Sequence, residues 1–88
     1  MNRIPSITEP AAYRICVAGR VSKGWSDFMT GLEQSVNQAA DGTVTTITGI
    51  VLDQAALFGM LCCIRDLRLV LISVEYLPYF KPATGETQ

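Results

Sequence analysis

Apolar and polar positions alternate at two different periods along this chain, and the switches between them outline its elements. From Tyr13 to Val21, "YRICVAGRV", the period is two. Tyr13, Ile15 and Val17 fall on one face and Arg14, Cys16, Ala18 and Arg20 on the other, which predicts a half-buried first strand. "SKGWSDFMTG" then sets Trp25, Phe28 and Met29 on one helical stripe, with Ser22 as cap and Gly31 as stop. That pattern predicts a short first helix, weakened at its start by Gly24 and pinned to the sheet by Trp25 and Phe28. Period two returns with Leu32, Gln34 and Val36 against Glu33, Ser35 and Asn37. Asp41-Gly42 is a hairpin signal, because the favoured tight turn takes positive φ at both central residues. The β-branched run "TVTTITGIV" supplies the returning strand, with Gly49 marking a bulge or a close approach.

The next switch falls at Asp53, an N-cap whose carboxylate also suits the positive end of a helix dipole. A helix from about Gln54 to Leu67 follows, with Ala56, Leu57, Met60, Leu61, Ile64 and Leu67 at i, i+3, i+4 spacing. "LVLISVEYL" is apolar on both faces and reads as a central strand, ended by Pro78. Pro5 and Pro10 make residues 1–10 a loose N-terminal arm. Residues 11–78 form the single domain, and residues 79–88 a C-terminal tail.

The order strand, helix, strand, strand, helix, strand is that of a ferredoxin-like βαββαβ domain. This is an α+β fold with a four-stranded antiparallel sheet and two helices on one face. It puts the first and third strands at the centre and the last at an edge. That conflicts with a last strand whose sequence reads as buried, and the conflict resolves if a partner chain or the C-terminal tail covers the edge or the open face.

Composition sharpens this picture. Of 88 residues, 49% are hydrophobic and only 17% charged, which is low for a domain with so much surface per volume. Apolar surface must then stay exposed or be covered by another chain, so a homodimer or higher homo-oligomer is expected. A net charge of −1, spread evenly, lacks the positive field that nucleic acid or an anionic membrane requires. The open sheet face would show Arg14, Cys16 and Ala18 and no aromatic ring for base stacking, so no nucleic-acid partner is expected. Arg65, Asp66 and Arg68 interrupt the longest apolar run, and no targeting segment opens the chain. Three cysteines, two of them adjacent, argue against a disulfide framework and for a reduced cytoplasmic setting.

The candidate chemistry is sparse. Histidine is absent, Asp53 acts as a cap and Asp41 sits in a turn. Arg65 and Asp66, adjacent on a helix, are expected to point to different sides. Cys62 and Cys63 lie about 100° apart around a helix and lack the C-x-x-C spacing, so they should neither bond nor share a metal. Cys63 borders the apolar stripe as a small core residue. "GRVSKG" carries neither a soft-metal pair nor phosphate-loop spacing. No catalytic residue, cofactor or metal is therefore expected. What survives is an outer helix face of Ala55, Phe58, Gly59 and Cys62, where a solvated helix would carry charge. Either that face or the sheet face bearing Cys16 and Ala18 is the expected interface. Asp53, Trp25 and Gly42 are the expected structural residues.

"VLDQAALFGMLCCIRDLRLVLISVEYL" resembles a family of small bacterial and archaeal proteins of unassigned function, with a D-Q-A-A-L-x-G-L-L-x-x-I-R-D-L ending. The likeness is close over residues 51–77 and looser from Tyr13 to Leu32, through Trp25. On its matching positions Asp53, Gln54, Arg65 and Asp66 carry the family's polar signature. Two departures stand out: Phe58 where relatives often have His, and Arg68 where they tend to have Gly. The first removes any acid–base role at that position. The second makes a left-handed helix cap costlier by about 1 kcal/mol.

The leading expectation is a non-catalytic interaction or assembly module. Two others remain: a regulatory domain binding a small molecule between subunits, and an enzyme whose site forms at an interface. An unidentified protein or small-molecule partner fits the first two.

Overall fold

The computed structural model describes residues 5–21 and 24–79. Among them lie four strands and one helix: β1 (Ala11–Ala18), β2 (Met29–Ala39), β3 (Gly42–Val51), α1 (Gln54–Asp66) and β4 (Leu71–Tyr76). The strands make one antiparallel sheet in the order β2-β3-β1-β4, so the first and third strands are central, as the sequence pattern implies. The two-helix ferredoxin-like fold is not what forms. A single helix covers the sheet, and strand dominates the chain.

The expected first helix is replaced by one turn. The N–H groups of Phe28 and Met29 both donate to the Trp25 carbonyl, at 2.9 and 3.1 Å, and Met29 already opens β2. Ser22, its expected cap, lies outside the described residues. The reason is tertiary. Thr45, buried on β3, accepts from the Val21 N–H at 3.1 Å and donates to the Gly19 carbonyl at 2.7 Å. Gln34 Nε2 donates to the Val21 carbonyl at 2.7 Å. These bonds commit the entry to the segment to β2 and β3. Trp25 and Met29 still reach the core, because a single turn points both inward as a helix would.

The core lies between the sheet and α1. Ile15 and Val17 of β1, Ile47 and Val51 of β3, and Leu57, Met60 and Ile64 of α1 enclose Trp25 and Met29. Gly49 faces this layer, and a Cβ there would stand 3.0 Å from Met29 Sδ and 3.1 Å from the Thr30 carbonyl. Close approach thus explains this glycine.

The β2–β3 hairpin forms with its tip one residue earlier than the Asp41-Gly42 signal suggests. Ala39 pairs with Gly42, leaving Ala40 and Asp41 at the tip, and Gly42 takes φ 136° as β3 begins. Asp53 caps α1 as expected, its Oδ1 accepting from the Ala56 N–H at 2.9 Å. At the other end Arg68 adopts φ 62°. The Arg68 N–H donates to the Arg65 carbonyl and the Leu69 N–H to the Ile64 carbonyl, the paired bonds of a Schellman cap.

Candidate functional site

β4 is the element that does not fit its surroundings. The sequence reads as a central strand, yet the structure sets it at the sheet edge with all six residues exposed. Leu71, Ile72, Val74 and Tyr76 keep 43, 52, 39 and 38% of their surface. Val74 lies opposite Ile15 and Tyr76 opposite Tyr13, so both side chains stand on the helix-covered side of the sheet. Ile15 beneath α1 is fully buried, whereas its neighbour on β4 is not, because α1 packs over β1 and β3. Ile72 is the extra residue where the β1–β4 register shifts.

On the open face, Glu75 is the one charged residue of β4 and lies beside Arg14, with Arg14 Nη1 to Glu75 Oε1 at 3.0 Å. Both groups are about half exposed, so the pair contributes little to stability. It does fix the Glu75 carboxylate over β1. The sequence reading missed it, because partners 61 residues apart show only once the strand register is known.

An open cleft of about 380 Å³ adjoins the end of this edge, lined by Pro5, Ile7, Tyr13, Gln54 and Tyr76. Gln54 Nε2 donates to the Tyr13 hydroxyl at 2.9 Å, and the Tyr13 and Tyr76 rings meet at 5.8 Å, tilted by 49°. The Gln54 N–H also donates to the Ile7 carbonyl at 3.0 Å, which ties the N-terminal arm to the start of α1. Gln54 therefore organises this cleft, and the sequence signals for it were its place beside the capping Asp53 and its share in the polar signature of the resembled family.

The expected interface residues divide between two surfaces. Ala55, Phe58 and Cys62 lie exposed on the outer side of α1, and Phe58 keeps 57% of its surface. Gly59 is half-buried, and a Cβ there would stand 3.3 Å from the Phe28 ring, so this chain's own aromatic occupies its close approach. Cys16 and Ala18 lie half-buried on the opposite, open face of the sheet. Cys16 Sγ is 3.6 Å from Thr46 Oγ1 there. Of the tail residues expected as an alternative cover, Tyr79 is exposed and Phe80 lies outside the described residues.

Arg65 and Asp66 depart from expectation. They meet on the surface, Nε to Oδ1 at 3.1 Å, because the long arginine side chain folds back to its neighbour. The hydrogen bond and the charge of Asp66 raise the guanidinium's pKa above its ordinary value. Both groups are largely solvated, so the pair is a surface feature. Cys16, Cys62 and Cys63 are free thiols, and no group of three metal-ligating side chains occurs among the described residues. No described helix is long and apolar enough to cross a membrane.

The surface features these elements build are an edge strand with exposed apolar side chains and the small cleft of Tyr13, Gln54 and Tyr76 beside it. Residues 12–75 match the family model of a domain of unknown function, DUF8691, and the chain belongs to that family. No curated protein and no solved structure matches the chain.

Proposed function

We propose that the protein is a non-catalytic interaction module that acts as a homo-oligomer in the cytoplasm. One observation carries this reading: β4 has the composition of a buried strand and no cover among the described residues. Full burial of a side chain such as Val, Leu or Ile is worth about 1.5–3 kcal/mol, and β4 realises only part of this in a single chain. A second chain over that surface recovers the remainder. Analytical ultracentrifugation of the full chain at micromolar concentration is expected to show a dimer or larger species. A single monomeric species across the whole accessible concentration range refutes the reading.

The Tyr13–Gln54–Tyr76 cleft favours a second reading, small-molecule sensing. Its volume falls in the range of ligand pockets, and its polar atoms are gathered at one spot. A thermal-shift screen of small aromatic and polar metabolites tests this. Ligands that raise the melting temperature of the native chain but not of a Gln54→Ala variant are the expected signature. A screen without such ligands removes this reading.

A further inference from the structure

The free side of β4 has a definite hydrogen-bonding pattern. The Leu77 N–H donates to the Ala12 carbonyl at 2.9 Å, and Arg14 pairs with Glu75 and Cys16 with Ser73. Residues of an antiparallel pair alternate between exchanging both backbone bonds and exchanging none. Leu77, Glu75 and Ser73 therefore turn their amides toward β1, and Val74 and Tyr76 turn theirs outward.

We propose that β4 of a second copy completes this edge, antiparallel across a two-fold axis at Val74, so that two sheets join into one continuous sheet. The proposal rests on the homo-oligomer reading above and adds the surface and the register. Val74 then exchanges backbone bonds with its own copy, and the ladder ends where Tyr76 reaches the bulge at the partner's Ile72. On the helix side, Leu71, Val74 and Tyr76 of the two chains become neighbours and cover one another.

Three features choose a second copy as occupant. First, charge is tolerated in this register. Glu75 falls opposite the partner's Ser73, and the two Glu75 residues take diagonal positions about 7–8 Å apart. Each carboxylate is paired with Arg14 of its own chain. An axis one residue further on would set Glu75 directly against Glu75, which is unfavourable. Second, the opposite edge is blunted. β2 has a register shift between Thr30 and Glu33 and exposes Glu33, Gln34, Ser35, Asn37 and Gln38. A sheet with one adhesive edge and one blunted edge closes as a pair instead of growing into a fibre. Third, the residues after β4 make a poor substitute strand, since "FKPATGETQ" offers one large apolar side chain, and Pro82 has no N–H to donate. A strand edge is small beside the about 800 Å² per partner of a standard interface, so the affinity expected is micromolar.

The test uses the full chain. Val74→Pro removes an outward N–H while sparing the bonds to β1, and it should weaken dimerisation at least about tenfold, as loss of cross-strand bonds requires. Phe58→Glu, on the outer face of α1, should leave dimerisation unchanged. A second arm guards against misfolding of the proline variant. Val74→Cys in a Cys62→Ser background should form a disulfide-linked dimer on mild oxidation, because facing hydrogen-bonded residues sit about 5.5 Å apart, within disulfide reach. Glu33→Cys in the same background should not. A dimer that survives Val74→Pro, dissolves with Phe58→Glu, or fails to cross-link through residue 74 overturns the edge proposal and leaves the homo-oligomer reading standing. A native chain that stays monomeric overturns both.

Discussion

Arg68 ends α1 in a conformation that costs an L-residue free energy, and replacing it should stabilise the protein. Its φ of 62° places it in the left-handed region, where the Cβ crowds the following carbonyl by about 1–2 kcal/mol. Glycine escapes that cost, but its unfolded chain is freer, which returns about 0.5–1 kcal/mol to the unfolded state. Nothing else should be lost, because Arg68 is exposed and both bonds of the cap are made by backbone groups. Arg68→Gly should therefore gain about 0.5–1 kcal/mol, or several degrees in melting temperature for a domain of this size. Urea unfolding followed by far-UV circular dichroism measures it, read as a rise in midpoint at constant slope. Arg68→Ala is the necessary control, since it removes the side chain and keeps the strain. An alanine variant as stable as the glycine variant, or a glycine variant no more stable than the native chain, refutes the reasoning.

Asp53→Ala should cost about 0.5–2 kcal/mol without altering the fold, because the Ala56 N–H loses its acceptor; an unchanged unfolding midpoint would show that the cap carries no weight. Gly49→Ala should cost about 1–3 kcal/mol, since the new methyl meets Met29 Cβ and the Thr30 carbonyl at 3.1 Å and β2 must shift to admit it. Unfolding by denaturant decides this too, and a stability equal to the native chain's would mean that β2 yields freely.

The sequence made local features legible and left tertiary ones obscure. The α1 stripe, its Asp53 cap and the two faces of β1 follow from spacing alone, and the structure buries Leu57, Met60, Ile64, Ile15 and Val17 accordingly. Arg68 was legible only through the resemblance, in which relatives tend to have Gly at that position, and its φ of 62° agrees with that reading. The first helix failed for a stated reason: Trp25, Phe28 and Met29 at helical spacing are equally served by one turn, and the bonds from Thr45 and Gln34 that decide the matter come from later in the chain. Long-range pairs such as Arg14–Glu75 and Tyr13–Gln54 were hidden for the same reason. The exposed apolar helix face, the low charge and a last strand apolar on both faces yet assigned to an edge pointed to uncovered surface, and β4 holds much of it.

The exposure of β4 follows from the absence of the first helix. A helix about 10 Å across spans about two strands spaced about 4.8 Å apart, so a single helix cannot cover a four-stranded sheet. α1 takes the two central strands, β1 and β3. On the β2 side the shortfall is met in two ways. Trp25 and Met29 fill the space beside β3, and β2 opposes Ile47 and Thr43 with Gln34 and Gln38, which tolerate water. On the β4 side neither remedy is present. Leu71, Val74 and Tyr76 continue the apolar pattern of Val17, Ile15 and Tyr13 yet keep more than a third of their surface exposed. A sequence that adapts one flank of its sheet to exposure and leaves the other apolar is what the proposed second copy over β4 would account for. Replacing both Val74 and Tyr76 by threonine separates the possibilities. If the flank is merely exposed, the monomer should lose some stability with the Tyr13–Tyr76 ring contact and the oligomeric state should be unchanged. If a partner covers it, dimerisation should weaken while the monomer still folds, and the ultracentrifuge distinguishes the two.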